Sequence, residues 1–356
     1  MAKIMNYSPA AADARERWKK YLSQGEIYPR DDDFSRLLRD VKTGLQKLCH
    51  SEAQVLLLTT AGTGALECAI AGLPEGKRIV VLRNGYFGQR LFEIAQLHHP
   101  DAFPYDLPFG EPFNSAHEAR LIQLLKEKRA DVLIGVHLET SSTVVNDAAL
   151  LGKIGREHQL ITVVDGISSI GAVECRLDEW GVNCFVASVY KALMCPTGLS
   201  FIVADSAFLN TSRRNWSYYF DLQRLSDAAE GDRYLWSPSV LSLQCLRDTV
   251  EEILAVGQEA YFEKLEAKAR QFRRRLERGG LQIFGDPQHL SPCLTAIKTA
   301  GQSATQWLAR LKKQYGVVVG KGMGEFAEDY LRIGHYPHRS ARDLANLAEA
   351  LAETSR

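Results

Sequence analysis

The sequence has no excess of charge of either sign, since 43 lysine and arginine residues balance 43 aspartate and glutamate residues. A chain without net charge has no overall field that would attract nucleic acid or an anionic membrane. It also contains no run of about 18 apolar residues, the length that a membrane-spanning helix needs. The N-terminal stretch lacks the apolar segment of a secretory signal. These absences predict a soluble, cytoplasmic protein.

Paired cysteines are also missing. The seven cysteines are odd in number and scattered, and no two of them form a Cys-x-x-Cys motif. This spacing argues against a disulfide framework and against a zinc ribbon, and it favours reduced thiols in the cytosol. The residues concerned are Cys49, Cys68, Cys175, Cys184, Cys195, Cys245 and Cys293.

Short apolar runs alternate with helix-like segments as far as residue 204, which is the pattern of a doubly wound α/β domain with a mostly parallel sheet. We expect a large domain over residues 20–245 and a smaller C-terminal α/β domain over residues 246–356, with residues 1–19 packed beside it. Residues 208–237 interrupt the alternation with a polar, aromatic sequence. They predict an irregular excursion over the surface or onto a second subunit.

Two spacings predict helix starts. Ser115-x-x-Glu118 and Ser340-x-x-Asp343 both have the form of a capping box, in which two residues satisfy each other's backbone amides. Each motif precedes a stretch of apolar residues at helical spacing.

An acid and a lysine follow two neighbouring apolar runs. Asp165 ends the run LITVV, and Lys191 follows the next run. Because ligands bind at the carboxyl ends of parallel strands, both side chains should face one crevice. A carboxylate and a lysine in that arrangement suit a pyridoxal phosphate (PLP) enzyme, in which the lysine forms a Schiff base and the acid keeps the pyridine nitrogen protonated.

A glycine turn precedes this pair. Gly62 and Gly64 lie between a predicted strand and a helix, where free backbone amides favour an anion. Taken alone, the turn is also compatible with an ordinary tight turn. A dinucleotide site is a further alternative, although the third glycine of that motif is absent.

Three other residues each carry a functional and a structural alternative. Phe87 suits stacking on a flat ring or ordinary burial, and Thr140 suits a hydrogen bond to a cofactor or a solvated loop. Arg332, within an apolar strand, suits a clamp on a carboxylate or a structural salt bridge. His137 is expected to be structural.

Six stretches together resemble the class V aminotransferases of PLP fold type I, and most closely the branch of alanine–glyoxylate, serine–pyruvate and 2-aminoethylphosphonate–pyruvate aminotransferases. The stretches are TTAGTGALECAIAGL, RNGYFGQR, HLETSST, VVDGISSIGA, SVYKALMCPTGLSFI and YLRIGH. The resemblance runs from about residue 30 to the C-terminus, with the six stretches in order.

The resemblance implies a role for each matching residue. Lys191 would be the Schiff-base lysine, Asp165 the partner of the pyridine nitrogen and Arg332 the substrate-carboxylate clamp. The other implied cofactor contacts are Gly62, Thr63, Gly64 and Tyr190 at the phosphate, Phe87 on the pyridine ring and Thr140 at the ring oxygen. Tyr234 and Ser237 would reach the phosphate of the neighbouring subunit in a homodimer.

The implied activity is transfer of an amino group from a small amino acid to a 2-oxo acid such as pyruvate or glyoxylate. Tyr190 in place of the usual glutamine, and Ala61 in place of a common serine, depart from the family pattern and leave a specialised pathway open. A PLP-dependent lyase is the alternative within the same chemistry. A nicotinamide-dependent reductase or an anion-binding protein is the alternative from another class.

Overall fold

A computed structural model of the chain describes residues 4–12, 14–23 and 27–355. Its strands are β1 (Met5–Asn6), β2 (Gln54–Leu58), β3 (Ile79–Arg83), β4 (Phe103–Asp106), β5 (Val132–Val136), β6 (Leu138–Glu139), β7 (Val144–Val145), β8 (Ile161–Asp165), β9 (Cys184–Ser188), β10 (Ser200–Ala204), β11 (Ile283–Phe284), β12 (Leu294–Lys298), β13 (Val317–Val318), β14 (Gly320–Lys321) and β15 (Tyr330–Gly334).

Helices connect and cover these strands. They are α1 (Arg15–Leu22), α2 (Asp32–Leu48), α3 (Gly62–Ala71), α4 (Tyr86–His98), α5 (Glu118–Lys128), α6 (Ala148–Glu157), α7 (Leu177–Trp180), α8 (Ser206–Thr211), α9 (Leu222–Glu230), α10 (Val240–Val256), α11 (Gln258–Arg278), α12 (Ala304–Tyr315) and α13 (Ala341–Thr354). None of the helices in the described ranges is long and apolar enough to cross a membrane.

The main sheet has seven strands in the order β2-β10-β9-β8-β5-β3-β4. Its strands are parallel except β10, which runs antiparallel to both β2 and β9. Side chains of a strand point alternately to the two faces, so Val164 of β8 packs in the core that includes α2 and α10, whereas Val163 packs in the core that includes α3. Helices on both faces explain why the central strands are apolar throughout, and the predicted mostly parallel α/β architecture is confirmed.

A second sheet of four antiparallel strands, in the order β11-β12-β15-β14, lies in the C-terminal part of the chain. Helices α11, α12 and α13 contribute its core, which buries Trp307. The N-terminal strand β1 pairs with β13, so Met5 lies opposite Val317. Residues 1–3 and 13 of the N-terminal segment lie outside the described residues. Helix α10 runs unbroken through residue 245, and the division of domains there stays a prediction.

Two local predictions need correction. Residues 208–237 are not irregular throughout, because α9 forms within them. Asp221 caps this helix by accepting hydrogen bonds from the amides of Gln223 and Arg224, and its buried apolar face includes Leu222 and Leu225. The surrounding aromatic residues obscured that helical spacing in the sequence.

The first capping box begins one residue earlier than Ser115, where the sequence predicts it. Asn114 and His117 form it, at the start of a 3₁₀ turn over Ser115–His117, and α5 begins at Glu118. The second capping box, Ser340 with Asp343, is confirmed at the start of α13.

Candidate active site

Asp165 and Lys191 lie at the same edge of the main sheet. Asp165 is the last residue of β8, and Lys191 follows the neighbouring parallel strand β9, which ends at Ser188. Both side chains are buried. One Asp165 carboxylate oxygen accepts a hydrogen bond of 2.9 Å from the amide of Ile167. Burial raises the pKa of Asp165 to about 6, while that amide and the positive charge of Lys191 oppose the shift.

The Lys191 ammonium is held by two hydroxyl groups. Its Nζ donates to Ser168 Oγ at 2.6 Å and to Thr140 Oγ1 at 3.1 Å, and these two hydroxyls also contact each other. Burial lowers the pKa of Lys191 to about 8, although the carboxylates of Asp165 and Glu139 favour the charged form. A lysine of lowered pKa is a better nucleophile and base near neutral pH.

Ser168 was not singled out in the sequence. Its only signal was its place in the GISSIG stretch directly after Asp165. The turn that follows β8 brings it back to the lysine, with the amide of Ser169 bonded to the carbonyl of Gly166.

Phe87 lies beside the lysine at the start of α4, and its ring centre is 5.3 Å from Lys191 Nζ. The carboxylate of Glu139 accepts hydrogen bonds from the amides of Phe87 at 3.1 Å and Gly88 at 3.0 Å. A Cβ atom at Gly85 would lie 2.4 Å from Glu139 Cγ, so the close approach requires glycine. Glu139 therefore fixes the first turn of α4, a role that the sequence did not indicate.

The predicted phosphate turn forms the N-terminus of α3. The N-cap residue Ala61 offers no side-chain cap, and amides in the first turn of a helix have no partner within the helix. A Cβ at Gly62 would lie 2.4 Å from Ile167 and 2.6 Å from the Ser188 hydroxyl. The turn thus packs its backbone against the loop that follows Asp165, and its free amides suit an anion.

Tyr190 reaches this same turn. Burial raises the pKa of its hydroxyl, and hydrogen bonding to the Ser188 side chain and the Gly62 backbone opposes that rise. A polar group at the predicted phosphate position is therefore retained although its residue type departs from the family pattern.

Tyr234 and Ser237 are placed differently within this chain. Both meet Thr59, whose hydroxyl lies 2.7 Å from the Tyr234 hydroxyl and donates to the carbonyl of Ser237 at 3.0 Å. Thr59 directly follows β2, close in sequence to the phosphate turn. The structure does not bring Tyr234 or Ser237 to Lys191 in the same chain, and their contact with a neighbouring subunit stays a prediction.

Arg332 comes from the second sheet and reaches the first. It is buried in β15, and its guanidinium donates to the carbonyls of Lys321 at 2.9 Å and of Thr140 at 3.1 Å. Within residues 4–12, 14–23 and 27–355 no carboxylate lies within ion-pair distance of it, so the structural salt bridge is not what holds this side chain. A buried cation that is oriented by carbonyl groups can receive a substrate carboxylate.

His137 and all seven cysteines are buried. Burial lowers the pKa of His137 to about 4, and its ring packs edge-on against Trp180 at 5.5 Å. All seven cysteines are buried and unbridged. The structural role of His137 stays a prediction.

Comparison with known proteins identifies the family. Residues 9–325 match the family model described as aminotransferase class-V. This chain belongs to the class V aminotransferases. As a member of that family, it is a PLP-dependent aminotransferase with amino acid and oxo acid substrates.

Individual relatives of this aminotransferase carry two kinds of name. The chain is 28% identical over 353 residues to a protein named the soluble hydrogenase 42 kDa subunit, from Anabaena cylindrica, covering 98% of this chain and 92% of that one. It is 28% identical over 354 residues to the L-aspartate–glyoxylate aminotransferase of Paracoccus denitrificans, covering 97% and 87%.

Solved structures agree on the fold. The crystal structure of an alanine–glyoxylate aminotransferase from Nostoc sp. matches with a TM-score of 0.93 at 24% identity, covering 100% of this chain and 96% of that one. The predicted PLP fold type I architecture is therefore confirmed.

Proposed function

We propose that this class V aminotransferase transfers the amino group of a small amino acid to pyruvate or glyoxylate. The observation that carries the proposal is the buried Lys191 amine, which lies with Asp165 at the carboxyl edge of the main sheet and shares Thr140 as a hydrogen-bond partner with Arg332 of the second sheet. Relatives named for glyoxylate or pyruvate support the choice of acceptor, among them the Paracoccus enzyme and the 2-aminoethylphosphonate–pyruvate transaminase of Bacillus mycoides.

The residues of the site fit PLP. The amides of the first turn of α3, with the Tyr190 hydroxyl that meets the Gly62 backbone, would hold the phosphate. Phe87 would lie against the pyridine ring, Thr140 would bond the ring oxygen and Asp165 would face the pyridine nitrogen. When bound, PLP supplies an electron sink for negative charge that develops at the substrate Cα.

Asp165 and Arg332 prepare the substrate for proton transfer. With a pKa of about 6, Asp165 is mostly ionised at neutral pH and can retain a proton on the pyridine nitrogen. The Arg332 guanidinium would bind the substrate carboxylate and thereby fix the direction of the Cα–H bond. A clamp of this kind lowers the entropic cost of reaching the reactive geometry.

Lys191 then moves the proton. Its Nζ would accept the proton from the substrate Cα as a general base and hold it for return within the site. Ser168 and Thr140 keep the amine in position through hydrogen bonds of 2.6 and 3.1 Å. The same residues would serve both halves of the reaction, because the oxo acid takes up the amino group by the same steps in the reverse order.

A homodimer with shared sites is part of the proposal. Tyr218 is 73% exposed, and its ring centre lies 5.1 Å from that of Trp236. The Trp236 ring also stacks on the ring of Tyr219. The Tyr219 hydroxyl donates to the carbonyl of Thr59, so this aromatic surface adjoins the phosphate turn. A second copy of the chain that covered it would bring residues of both copies to one site.

We place the protein in the cytoplasm, a proposal that its seven unpaired thiols support.

A screen of half-reactions tests the proposed function. The PLP-loaded protein is mixed with single amino acids, and loss of the visible cofactor band is followed together with release of the oxo acid. We expect one or a few small amino acids to convert the cofactor stoichiometrically, and pyruvate or glyoxylate to restore it. Release of ammonia together with an equal amount of oxo acid, both in excess of the cofactor and with the cofactor band unchanged, would instead identify a lyase.

A further inference from the structure

We propose that Arg90 is the cation that binds the phosphate of the cofactor. The inference rests on PLP binding at the site described above, and it names a residue that neither the sequence motifs nor the comparisons assign. Arg90 lies on α4, three residues after Phe87, so both side chains project from the same face of the helix.

The contacts of Arg90 lead from the ring of Phe87 to the phosphate turn. Its guanidinium carbon lies 4.9 Å from the ring centre of Phe87 and 5.4 Å from that of Tyr86. Its Nη1 donates a hydrogen bond of 3.3 Å to the hydroxyl of Thr63, the second residue of α3. The guanidinium is therefore supported by aromatic rings on one side and adjoins the free amides of α3 on the other.

Its charge is uncompensated. Across the described ranges of the chain, no carboxylate lies within ion-pair distance of Arg90. Its positive charge nevertheless reaches into the site, since it slightly opposes the burial that raises the pKa of Asp165 and adds slightly to the burial that lowers the pKa of Lys191. An arginine in such a place is suited to an anion that arrives with the ligand.

The other two cations of the site are engaged elsewhere. Lys191 donates to Ser168 and Thr140, and Arg332 donates to two backbone carbonyls. The phosphate of the cofactor is close to doubly charged at neutral pH, and helix amides supply only partial charges to meet it. Among the described cations, Arg90 is the one with a donor atom on the phosphate turn, and its planar fork suits two phosphate oxygens.

The experiment compares two ligands that differ only in the phosphate. Apoprotein is titrated with PLP and with pyridoxal, and the visible absorbance gives a dissociation constant for each. We expect Arg90→Gln to weaken PLP binding by roughly tenfold to a hundredfold, the range for a lost hydrogen bond to a charged group. Pyridoxal binding should change by less than about twofold, since it makes no phosphate contact.

Two further variants complete the design. Arg90→Lys keeps the charge and should lose less PLP affinity than Arg90→Gln. Arg120→Gln is the matched control, because Arg120 also lies over an aromatic ring, that of Tyr105 at 4.9 Å, but outside the site. It should leave both dissociation constants unchanged.

The outcomes distinguish a failure of the Arg90 proposal from a failure of the cofactor assignment. Equal weakening of PLP and pyridoxal by Arg90→Gln would overturn the proposal, because it would mean that Arg90 only supports Phe87. An unchanged PLP affinity would overturn it as well. A wild-type protein that develops no visible band with PLP would reject the cofactor assignment itself, and with it the role of Arg90.

Discussion

Burial acts on Lys191 and Asp165 in opposite directions. It lowers the pKa of the lysine to about 8 and raises that of the aspartate to about 6, because removal from water disfavours the charged form of each group. Between these two values both groups are still predominantly charged. The site therefore combines an ionised acid with an amine that loses its proton only slightly above neutral pH.

The lowered pKa of Lys191 predicts how PLP capture by the apoprotein depends on pH. Because the neutral amine attacks the aldehyde, the rate should rise with pH and level off just above pH 8, well below the ordinary lysine pKa of about 10.4. Stopped-flow absorbance from about pH 6 to about pH 10 measures this profile. A rate that kept rising to the ordinary lysine pKa would contradict the shift.

The same shift predicts a change in stability with pH. Between about pH 8 and the unfolded-state value of about 10.4, the unfolded chain keeps a proton on Lys191 that the folded chain has lost. The lysine therefore makes the free energy of unfolding of the apoprotein rise with pH in that window. Denaturant unfolding of the wild type and of Lys191→Met measures it, and the variant should lack this part of the slope.

Asp165 is predicted to matter for the chemistry more than for holding the cofactor. Asp165→Asn removes the group that retains a proton at the pyridine nitrogen, so the single-turnover rate should fall by roughly a hundredfold or more, the scale for a lost proton-transfer group. Asp131→Asn, at a surface carboxylate paired with Arg78 and Lys77, is the control and should keep the wild-type rate. A wild-type rate in Asp165→Asn would remove the acid from the mechanism.

Some residues of the site could be predicted from sequence and others could not. Asp165 and Lys191 follow apolar strands, and the carboxyl edge of a parallel sheet brings such residues together. Ser168 and Glu139 depend instead on the path of a turn and on a contact between elements. No local pattern of residue types encodes either of these, so their roles emerge only in the folded chain.

At the scale of helices and strands, the site depends most on the first turn of α4. Buried Glu139 satisfies the amides of Phe87 and Gly88 and also accepts from the Ser141 amide at 2.9 Å. A carboxylate at a helix N-terminus is also favoured by the helix dipole. The position of Phe87 beside the lysine is thus fixed by an acid on strand β6.

Glu139→Gln is predicted to loosen this turn. One acceptor oxygen becomes an amide donor that faces other donors, so the free energy of unfolding should fall by about 1–3 kcal/mol, the cost of leaving a buried polar group unsatisfied. Affinity for both PLP and pyridoxal should fall together, since Phe87 is proposed to lie against the ring that both ligands share. Chemical denaturation and absorbance titration measure the two effects.

Asp147→Ala is the matched control for that variant. Asp147 caps α6 by accepting from the Leu150 amide at 2.8 Å, away from the site. Its loss should cost about 1 kcal/mol of stability with no change in cofactor affinity. If Glu139→Gln behaved in the same way, Glu139 would be only a helix cap.

Element types were easier to predict than element ends. The strands were marked by apolar runs, and the capping box at Ser340 was confirmed. The capping box predicted at Ser115 does not form. Asn114 is the capping residue instead, and its side chain accepts a hydrogen bond from the Ala116 amide at 3.0 Å. Competition between adjacent capping residues is decided by the path of the incoming chain, and this path is a tertiary property.

At the scale of the whole molecule, the site is assembled by the two sheets together. The hydrogen bond from Arg332 to the carbonyl of Thr140 joins residues 192 positions apart in the chain. The family resemblance implied that Arg332 serves the same site, but the distance between the sheets follows only from folding. If Arg332 binds the substrate carboxylate as proposed, substrate binding depends on the relative position of the two sheets.

The exposed aromatic surface beside the phosphate turn predicts the assembly state. If a second copy covers it, the double variant Tyr218→Asp with Leu235→Asp, the latter at an exposed residue directly before Trp236, should shift the protein from dimer to monomer, because charges would be buried at the interface. Sedimentation velocity measures the shift. Val256→Asp, at an exposed apolar residue on the last turn of α10, is the control and should stay dimeric. A wild type that is monomeric at all concentrations would contradict the proposed dimer.

The most direct measurement of the account is a single-turnover half-reaction of wild type and Lys191→Ala with the best amino donor, both loaded with PLP. The wild type should convert its cofactor band and release one equivalent of oxo acid, whereas Lys191→Ala should do so at least about a hundredfold more slowly, since it lacks the base that moves the Cα proton. Partial recovery of the variant's rate by an added small amine would support the same role. Conversion by Lys191→Ala at the wild-type rate would contradict it.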